Sequence, residues 1–517
     1  MSPHLKSAIR NSAFLFVGCV LFHVAGTWNL PLIDRDEPRF AEASREMIER
    51  GDYVIPYFNN HFRFDKPPLA YWAQVASYRL FGENDFAARL PSTIAAALTA
   101  LSIFAWGSRI GGNRVGWSAA IVFTLSLQTF VHAKAAVADM WLVLFVTLAH
   151  WAGCELFFAK KPGPELPESD EVVEAPVLRH SIAEPLRRTA TTIESAGGRI
   201  FCWLMFYIAL AFAFLAKGPI GWAPLLTVGS TIFFTGDPQV AKRFKFLRGL
   251  VLTLAVVALW GIPALIQTHG EFFRIGIGRH VIGRSFGAME GHGADSLGVY
   301  LLLLPFYFVT VFASFFPWSI KLPWLARRLW KKRDKIDNYL LAGTAVIFVV
   351  FTLIKTKLPH YTLPAFPLLA LLLARHLAAA QFSTRTFRKF AAAAVVLLFC
   401  VALLVPPFVA RFFPAADLFK QSRSDLAPGM EFGAVDFTEP SLVWYFRSRV
   451  TGFMTPLHRD SVVQFMEKSG PRFVIVPTSL STTLFAKHPE DWKMFSTRGF
   501  NIVKGKRVDL TLVLKPD

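Results

Sequence analysis

Ile33-Asp34-Arg35-Asp36-Glu37-Pro38-Arg39 follows directly on the first apolar segment of this 517-residue chain. Ionisable groups this dense at the edge of a bilayer are costly unless they are solvated, paired or used for chemistry. Further along the same stretch comes Phe64-Asp65-Lys66-Pro67-Pro68, a second charged group, and long apolar segments surround the two. The combination points to a membrane enzyme working where lipid meets water rather than to a channel or a receptor.

Composition agrees with a membrane protein. The chain is 53% hydrophobic and 18% charged, with 51 Phe and 14 Trp, against about 45–50% apolar and about 25% charged for soluble domains. The net charge of +19 gathers in short loops such as Lys242-Arg243-Phe244-Lys245 and Lys331-Lys332-Arg333, where it serves to hold loops in the cytoplasm and to meet anionic headgroups. No nucleic-acid motif accompanies it, so nucleic acid is excluded as a partner. Cys19, Cys154, Cys202 and Cys400 all fall in apolar segments and form neither a metal spacing nor a disulfide framework. Lys6 and Arg10 before an apolar run without a cleavage pattern read as an uncleaved signal anchor.

Hydropathy and loop charge give a polytopic α-helical membrane protein with about eleven spans. They are expected at 11–33, 86–107, 115–132, 138–158, 200–216, 219–235, 248–267, 297–318, 338–354, 361–379 and 390–410. With a cytoplasmic N-terminus the basic loops at 242–248, 327–335 and 385–389 are cytoplasmic. The segments 34–85, 133–137, 217–218, 268–296 and 355–360, and everything after 411, then face the other side. The mixed-charge, proline-containing loop 159–199 reads as a flexible cytoplasmic insertion.

In the loop 34–85, Phe40, Ala43, Met47 and Ile48 recur at helical spacing opposite Glu42, Arg45, Glu46 and Glu49, which predicts an amphipathic helix. A second is predicted over Leu69–Phe81, with Trp72, Val75, Ala76 and Leu80 on one face. Both are expected to lie along the membrane interface. After the membrane domain, residues 1–410, the composition becomes that of a water-soluble unit, residues 411–517. Strands are predicted at Glu431–Phe437 and Phe473–Val476, helices at Pro440–Arg449 and Asp460–Lys468, and a hairpin turning at Lys504-Gly505-Lys506. This makes a small external α/β domain without a catalytic signature.

Asp36 is the leading candidate for chemistry, because a carboxylate just outside a span can accept a proton or hold a sugar or a metal. Arg39 falls on the same helix face and suits a phosphate oxygen. Lys66 adds a point charge that stabilises a departing phosphate. Lys217 in Leu215-Ala216-Lys217-Gly218-Pro219, Lys357, His360 and Tyr361 in Lys355–Tyr361, and Asp139 with Lys134 nearby all collect on the same side of the membrane. His280 in Gly278-Arg279-His280 is a candidate metal ligand.

Asp36-Glu37-Pro38-Arg39-Phe40-Ala41-Glu42 together with Phe64-Asp65-Lys66-Pro67-Pro68-Leu69-Ala70-Tyr71-Trp72 resembles the lipid-linked glycosyltransferases of the GT-C class. Within it the pattern is most similar to the bacterial undecaprenyl-phosphate aminoarabinose transferases, which belong with the protein O-mannosyltransferase superfamily. Leu215–Pro219 and Lys357-Leu358-Pro359-His360-Tyr361-Thr362-Leu363-Pro364 resemble two further family motifs. The resemblance covers roughly residues 10–380. It implies a polyprenyl-phosphate-sugar donor, transfer on the periplasmic face of the bacterial inner membrane, and a lipid A or protein acceptor. Asp36 matches the catalytic carboxylate and Asp139 a second acidic site residue. Arg39 and Lys66 match donor-phosphate cations, and Tyr361 matches a residue of the lipid-phosphate pocket, with Lys217 and Lys357 in the neighbouring motifs. Asp65 and His280 align with a pair that binds zinc in some members, although Asp65 stands where a glutamate is usual. The competing expectations are a protein O-mannosyltransferase using the same site and a transporter or lipid flippase. Transporters, however, usually carry internal repeats and mid-membrane polar groups.

Overall fold

The computed structural model of the chain describes residues 3–158, 196–236, 238–283 and 296–516. Among them, eight helices are long and apolar enough to cross a bilayer. A ninth span results if Phe306–Ser314 and Trp318–Lys331, bent by 120°, are counted together.

The difference from the eleven expected spans has local causes. The segment 115–132 is two helices, Asn113–Thr124 and Leu127–His132. At the break the Ser126 hydroxyl bonds back to the Val122 carbonyl at 2.7 Å, and the Leu127 amide donates to the Phe316 carbonyl instead of continuing the helix. The segment 219–235 begins as a 3-10 turn, Pro219–Trp222, before the short helix Ala223–Thr235. Within 297–318, Pro305 and Pro317 sit at the breaks between short helices, where a proline supplies no amide to the ladder. The insertion expected at 159–199 falls outside the described residues up to 195.

The long helices begin and end on recognisable signals. Asn84 caps Asp85–Gly111 by accepting the Ala87 amide at 2.9 Å, and Gly112, at φ 82°, turns the chain into the next helix. Gly107 and Gly116 let these two helices close on each other, since a Cβ on Gly107 would lie 2.9 Å from the Gly116 Cα. Small residues at such crossings are how membrane helices gain packing without a hydrophobic driving force. Lysines close two other helices. Lys134 donates to the carbonyls of Phe22, His23 and Ala25, and Lys357 to those of Phe351, Thr352 and Ile354. Each thereby neutralises the negative end of a helix.

The C-terminal residues build a five-stranded mixed sheet from β3 (Glu431–Ala434), β4 (Met454–Pro456), β5 (Arg472–Pro477), β6 (Lys493–Asn501) and β7 (Lys506–Lys515). Their order across the sheet is β4-β3-β5-β7-β6. β4, β3 and β5 are parallel, joined through the helices Pro440–Phe446 and Val462–Glu467, while β6 and β7 form the hairpin predicted around Gly505. A small hairpin in the first loop, β1 (Tyr57–Phe58) and β2 (His61–Phe62), meets this unit. Its turn residue Asn59 exchanges two hydrogen bonds with the Met454 backbone, at 2.8 and 2.9 Å.

Both predicted loop helices exist, as Asp36–Arg50 and Leu69–Phe81. The first does not lie on a surface with its charged face in water. Phe40, Ala43 and Met47 pack on Tyr71, Val75 and Ala138. On the other side, Glu42 is fully buried between Arg45, at 2.7 Å, and Arg447. Arg447 also reaches Glu49 at 2.7 Å, and Arg45 lies 4.0 Å over the Trp444 ring. The second helix buries Val75 and leaves Ala76, Leu80 and Phe81 exposed. The charged face thus docks the C-terminal sheet unit.

Removing one partner of a buried ion pair strands the other, at a cost of about 3–5 kcal/mol. Arg447→Ala is therefore expected to lower the thermal unfolding midpoint of the purified protein and to open the junction to limited proteolysis; wild-type resistance would contradict the docking role. A second contact at this junction is pH-sensitive. Asp34 accepts the amide and hydroxyl of Ser441 at 2.9 and 2.6 Å, and burial, against those hydrogen bonds, pushes its pKa up to about 7 from 3.8. The folded state keeps a proton that the unfolded chain releases above 3.8, so stability falls as pH rises toward 7. The junction is expected to resist protease better at about pH 6 than at about pH 8. In Asp34→Asn that difference narrows, and an unchanged pH dependence would remove Asp34 from it.

Candidate functional site

The site begins with a constraint on the backbone. Glu37 is buried against Arg89, whose Nε and Nη2 donate to its two carboxylate oxygens at 2.9 and 2.7 Å. Arg89 also donates to the carbonyls of Thr27, Leu30 and Pro31, which fixes the descent from the first span. Glu37 in turn accepts the amides of Ile33 and Ala136, each at 2.7 Å. One carboxylate therefore holds two loops together: the one leading to Asp36 and the one leading to Asp139.

Asp36 is the first residue of its helix and is exposed at the positive end of the helix dipole. Arg39, one turn on, lies in the field of Asp36, Asp65 and Arg63, and burial together with Arg63 draws its pKa down. Arg63 is buried, bonded to the Tyr71 hydroxyl at 2.9 Å and to Asp65 at 3.0 Å. Lys66 donates to the Asp65 carbonyl at 3.2 Å, and its charge reaches His360.

The second half of the site comes from three distant segments. Asp139 opens the helix Asp139–Phe158 and Lys217 closes Ala196–Lys217, and their side chains meet at 2.5 Å. The His360 Nε2 is 3.9 Å from the same Asp139 oxygen, and its ring lies 4.9 Å from that of His132. The Lys217 ammonium is 5.5 Å from the centre of the Tyr361 ring, which packs against Phe351 at 4.8 Å. Asp36, Arg39, Arg63 and Asp65 thus form one group and Asp139, Lys217, His360 and Tyr361 another, with Lys66 reaching from Asp65 toward His360. Lys357 does not join them: its amine is engaged by three carbonyls. The side chain of His280 lies outside the described residues, although its helix Phe272–Gly283 starts with Phe272 edge-on to Phe64 at 5.7 Å.

Three participants escaped the sequence reading. Arg89 carried a signal, an arginine at the start of an apolar span. His132 and Arg63 carried none, one lying at a span end and the other in a charged loop.

Among the described residues the surroundings of Asp65 and of Asp139 are already occupied by cationic side chains. Asp65 is paired with Arg63 and shares its surroundings with Arg39 and Lys66, a field hostile to a cation. His132, Asp139 and His360 offer ligand atoms within 4.8 Å of one another, and their donor types suit zinc. The Lys217 ammonium, however, already lies 2.5 Å from an Asp139 oxygen, and it is the cation of that cluster.

A family model described as dolichyl-phosphate-mannose-protein mannosyltransferase matches residues 65–162. The undecaprenyl phosphate-α-4-amino-4-deoxy-L-arabinose arabinosyl transferase 2 of Proteus mirabilis is 27% identical over 359 residues, covering 68% of this chain and 57% of that protein. Its counterpart in Sodalis glossinidius is 29% identical over 351 residues, covering 66% and 55%. The chain thus spans little more than half the length of these two relatives. Among solved structures, ArnT from Cupriavidus metallidurans bound to undecaprenyl phosphate superposes with a TM-score of 0.72 at 19% identity, covering 96% of this chain and 97% of that one. Its apo state gives 0.70 at 20% identity, covering 98% of both. The chain is thus similar to the aminoarabinose transferases over about two thirds of its length, and it shares its helical fold with ArnT over nearly all of it.

Proposed function

We propose that this protein is a glycosyltransferase that takes a sugar from a polyprenyl-phosphate donor at the periplasmic face of the bacterial inner membrane and transfers it to a lipid acceptor. The reading favoured within this class is aminoarabinose, or a related sugar, moved to lipid A. Support for the sidedness comes from the basic loops around 242–245, 327–333 and 385–389, which positive-inside topology assigns to the cytoplasm. The named relatives support the donor and acceptor classes.

The observation that carries the reading is the division of labour among the acids of the first loop. Asp34 is held by Ser441, Glu37 by Arg89 and Glu42 by Arg45 and Arg447. Of these four acids Asp36 is the exposed one, in the field of Arg39.

The donor phosphate is bound by Arg39, Lys66 and Lys217, with the Tyr361 ring beside the last. An acceptor oxygen attacks the anomeric carbon. The bond from that carbon to the phosphate oxygen breaks, and its electron pair stays on the departing polyprenyl phosphate. The three cations stabilise that growing charge, and they do so most strongly at a site withdrawn from water. A hydroxyl acceptor gives its proton to Asp36, whereas a phosphate acceptor is already ionised and Asp36 orients it. Asp139 acts on Lys217 by holding the ammonium in place beside the lipid.

Purified protein supplied with sugar-labelled polyprenyl-phosphate donor and lipid A is expected to form labelled lipid A. Asp36→Asn should lower turnover by about 100-fold or more while leaving thermal stability unchanged; full activity in that variant would refute the assignment. Loss of transfer to lipid A in a deletion strain, read by lipid A mass spectrometry, separates this acceptor from a protein hydroxyl.

Lys217 and Asp139 should behave as one unit. Lys217→Met leaves Asp139 facing two imidazoles without its cation, and Asp139→Asn leaves Lys217 without its anchor. The double variant is expected to be more stable than the sum of the two single effects, with a coupling of about 0.5–3 kcal/mol. Simple additivity in thermal unfolding would show that the pair does not act together.

A further inference from the structure

At the far end of the C-terminal sheet unit, the β6–β7 hairpin is attached to the end of the last membrane helix, Thr384–Ala410. The Phe500 amide donates to the Phe412 carbonyl at 2.9 Å. Next to it, Gly499 lies so close to the chain that a Cβ there would meet Pro414 Cδ at 2.7 Å and the Phe412 carbonyl oxygen at 2.9 Å. The hairpin is thereby set at the level where the last span leaves the bilayer.

A cavity of about 1220 Å³ opens at this junction. The end of the membrane helix contributes Val409, Phe412 and Phe413 to its wall, and the hairpin contributes Arg498, Lys504, Lys506 and Arg507. Two acids also line it. Asp436 is neutralised by Arg459, which donates twice to the same oxygen at 2.5 and 3.0 Å, and Asp509 stands 3.9 Å from Arg498. Lys506 and Arg507 are exposed at the turn. The surrounding surface is apolar: Phe408, Phe412, Phe500, Ile502 and Val503 are all exposed, and Arg411 lies 3.9 Å over the Phe408 ring.

Exposed aliphatic and aromatic side chains interleaved with cations, at the mouth of a transmembrane helix, match the chemistry of an anionic lipid headgroup above its acyl chains. We propose that this cavity binds the phosphate headgroup of an anionic membrane phospholipid, whose chains lie along the outer half of Thr384–Ala410, and that this lipid seats the C-terminal unit on the bilayer. The phosphate is held by Lys506 and Arg507, with Arg498 and Lys504 at the rim. Ile502 and Val503 enter the interfacial layer. The inner wall of the cavity leads toward the catalytic loop: Asn501 donates to Glu439 at 2.8 Å, and Ser441 two residues on holds Asp34. The inference rests on the membrane-spanning helix and not on the transfer reaction, and it fails or stands independently of it.

The test uses the full-length protein in nanodiscs of phosphatidylcholine, alone or mixed with increasing phosphatidylglycerol. Two measurements are taken: amide hydrogen exchange over 499–509 and phospholipid retention by native mass spectrometry. Phosphatidylglycerol is expected to protect the hairpin and to be retained by the protein. In Lys506→Gln/Arg507→Gln the apparent affinity should fall about 30-fold, since each cation near the surface contributes about 1 kcal/mol. Lys487→Gln, an exposed lysine elsewhere on the unit, should match wild type. Equal protection in the double variant, no response to phosphatidylglycerol, or full protection by inorganic phosphate in detergent would each overturn the proposal. Displacement of phosphatidylglycerol by lipid A at equal mole fraction would also overturn it, by making the cavity an acceptor site.

Discussion

The buried pair of Glu37 and Arg89 is the constraint on which the rest of the site depends. A carboxylate and a guanidinium withdrawn from water are stable only when nearly every lone pair and N–H finds a partner. Here Arg89 gives its N–H groups to Glu37 and to the three backbone carbonyls of the turn after the first span, while Glu37 also accepts two amides. The pair stores little stability relative to an apolar replacement. What it supplies is geometry: the chain from the first span, the start of the Asp85–Gly111 helix and the loop before Asp139 are all referred to one point. Any reacting group at Asp36 inherits its position from that point.

Charge is managed in the same way throughout the membrane part. Three lysines at helix ends each have a definite electrostatic partner. Lys134 and Lys357 sit on the carbonyls of helix C-termini, and Lys217 on the Asp139 carboxylate. The distinction has consequences for binding. A lysine bonded to three carbonyls is fully engaged by the fold, whereas an ammonium bonded to one carboxylate and lying beside an aromatic ring keeps two further donors that no group among the described residues takes. That difference separates Lys357 from Lys217, although both stand in motifs of equal sequence prominence.

How far the sequence foretold this arrangement depended on the range of the interaction. The two loop helices were legible because a 3.6-residue apolar period is local, and the β6–β7 hairpin because Gly505 lies between two alternating runs. The motif residues Asp36, Arg39, Lys66, Asp139, Lys217 and Tyr361 were legible as residue types, and the contact of Lys217 with Asp139 and Tyr361 was not. The burial of the charged helix face was not, because Arg447, which meets Glu42, lies 405 residues away and has no local mark. The broken spans escaped for a different reason. Hydropathy measures the transfer of side chains into lipid, and a proline or a back-bonding serine alters the path of the backbone without altering that sum. His132 escaped because a histidine at the end of an apolar helix acquires meaning only when His360 and Asp139 arrive beside it.

These long-range contacts also account for the C-terminal unit. The loop that carries Asp36 is held from the membrane side by Arg89 and from the opposite side by Ser441, which takes both oxygens of Asp34 through its amide and hydroxyl. The helix that follows is gripped along its length by Arg447 and by Trp444, whose carbonyl accepts from Arg45. A carboxylate on a loop free at one side would sample many positions. The sheet unit therefore fixes the loop that carries Asp36, to which it is joined through Ser441, Arg447 and the contact of Arg45 with Trp444. Without those contacts the start of the Asp36–Arg50 helix would be held from the membrane side alone, by Arg89.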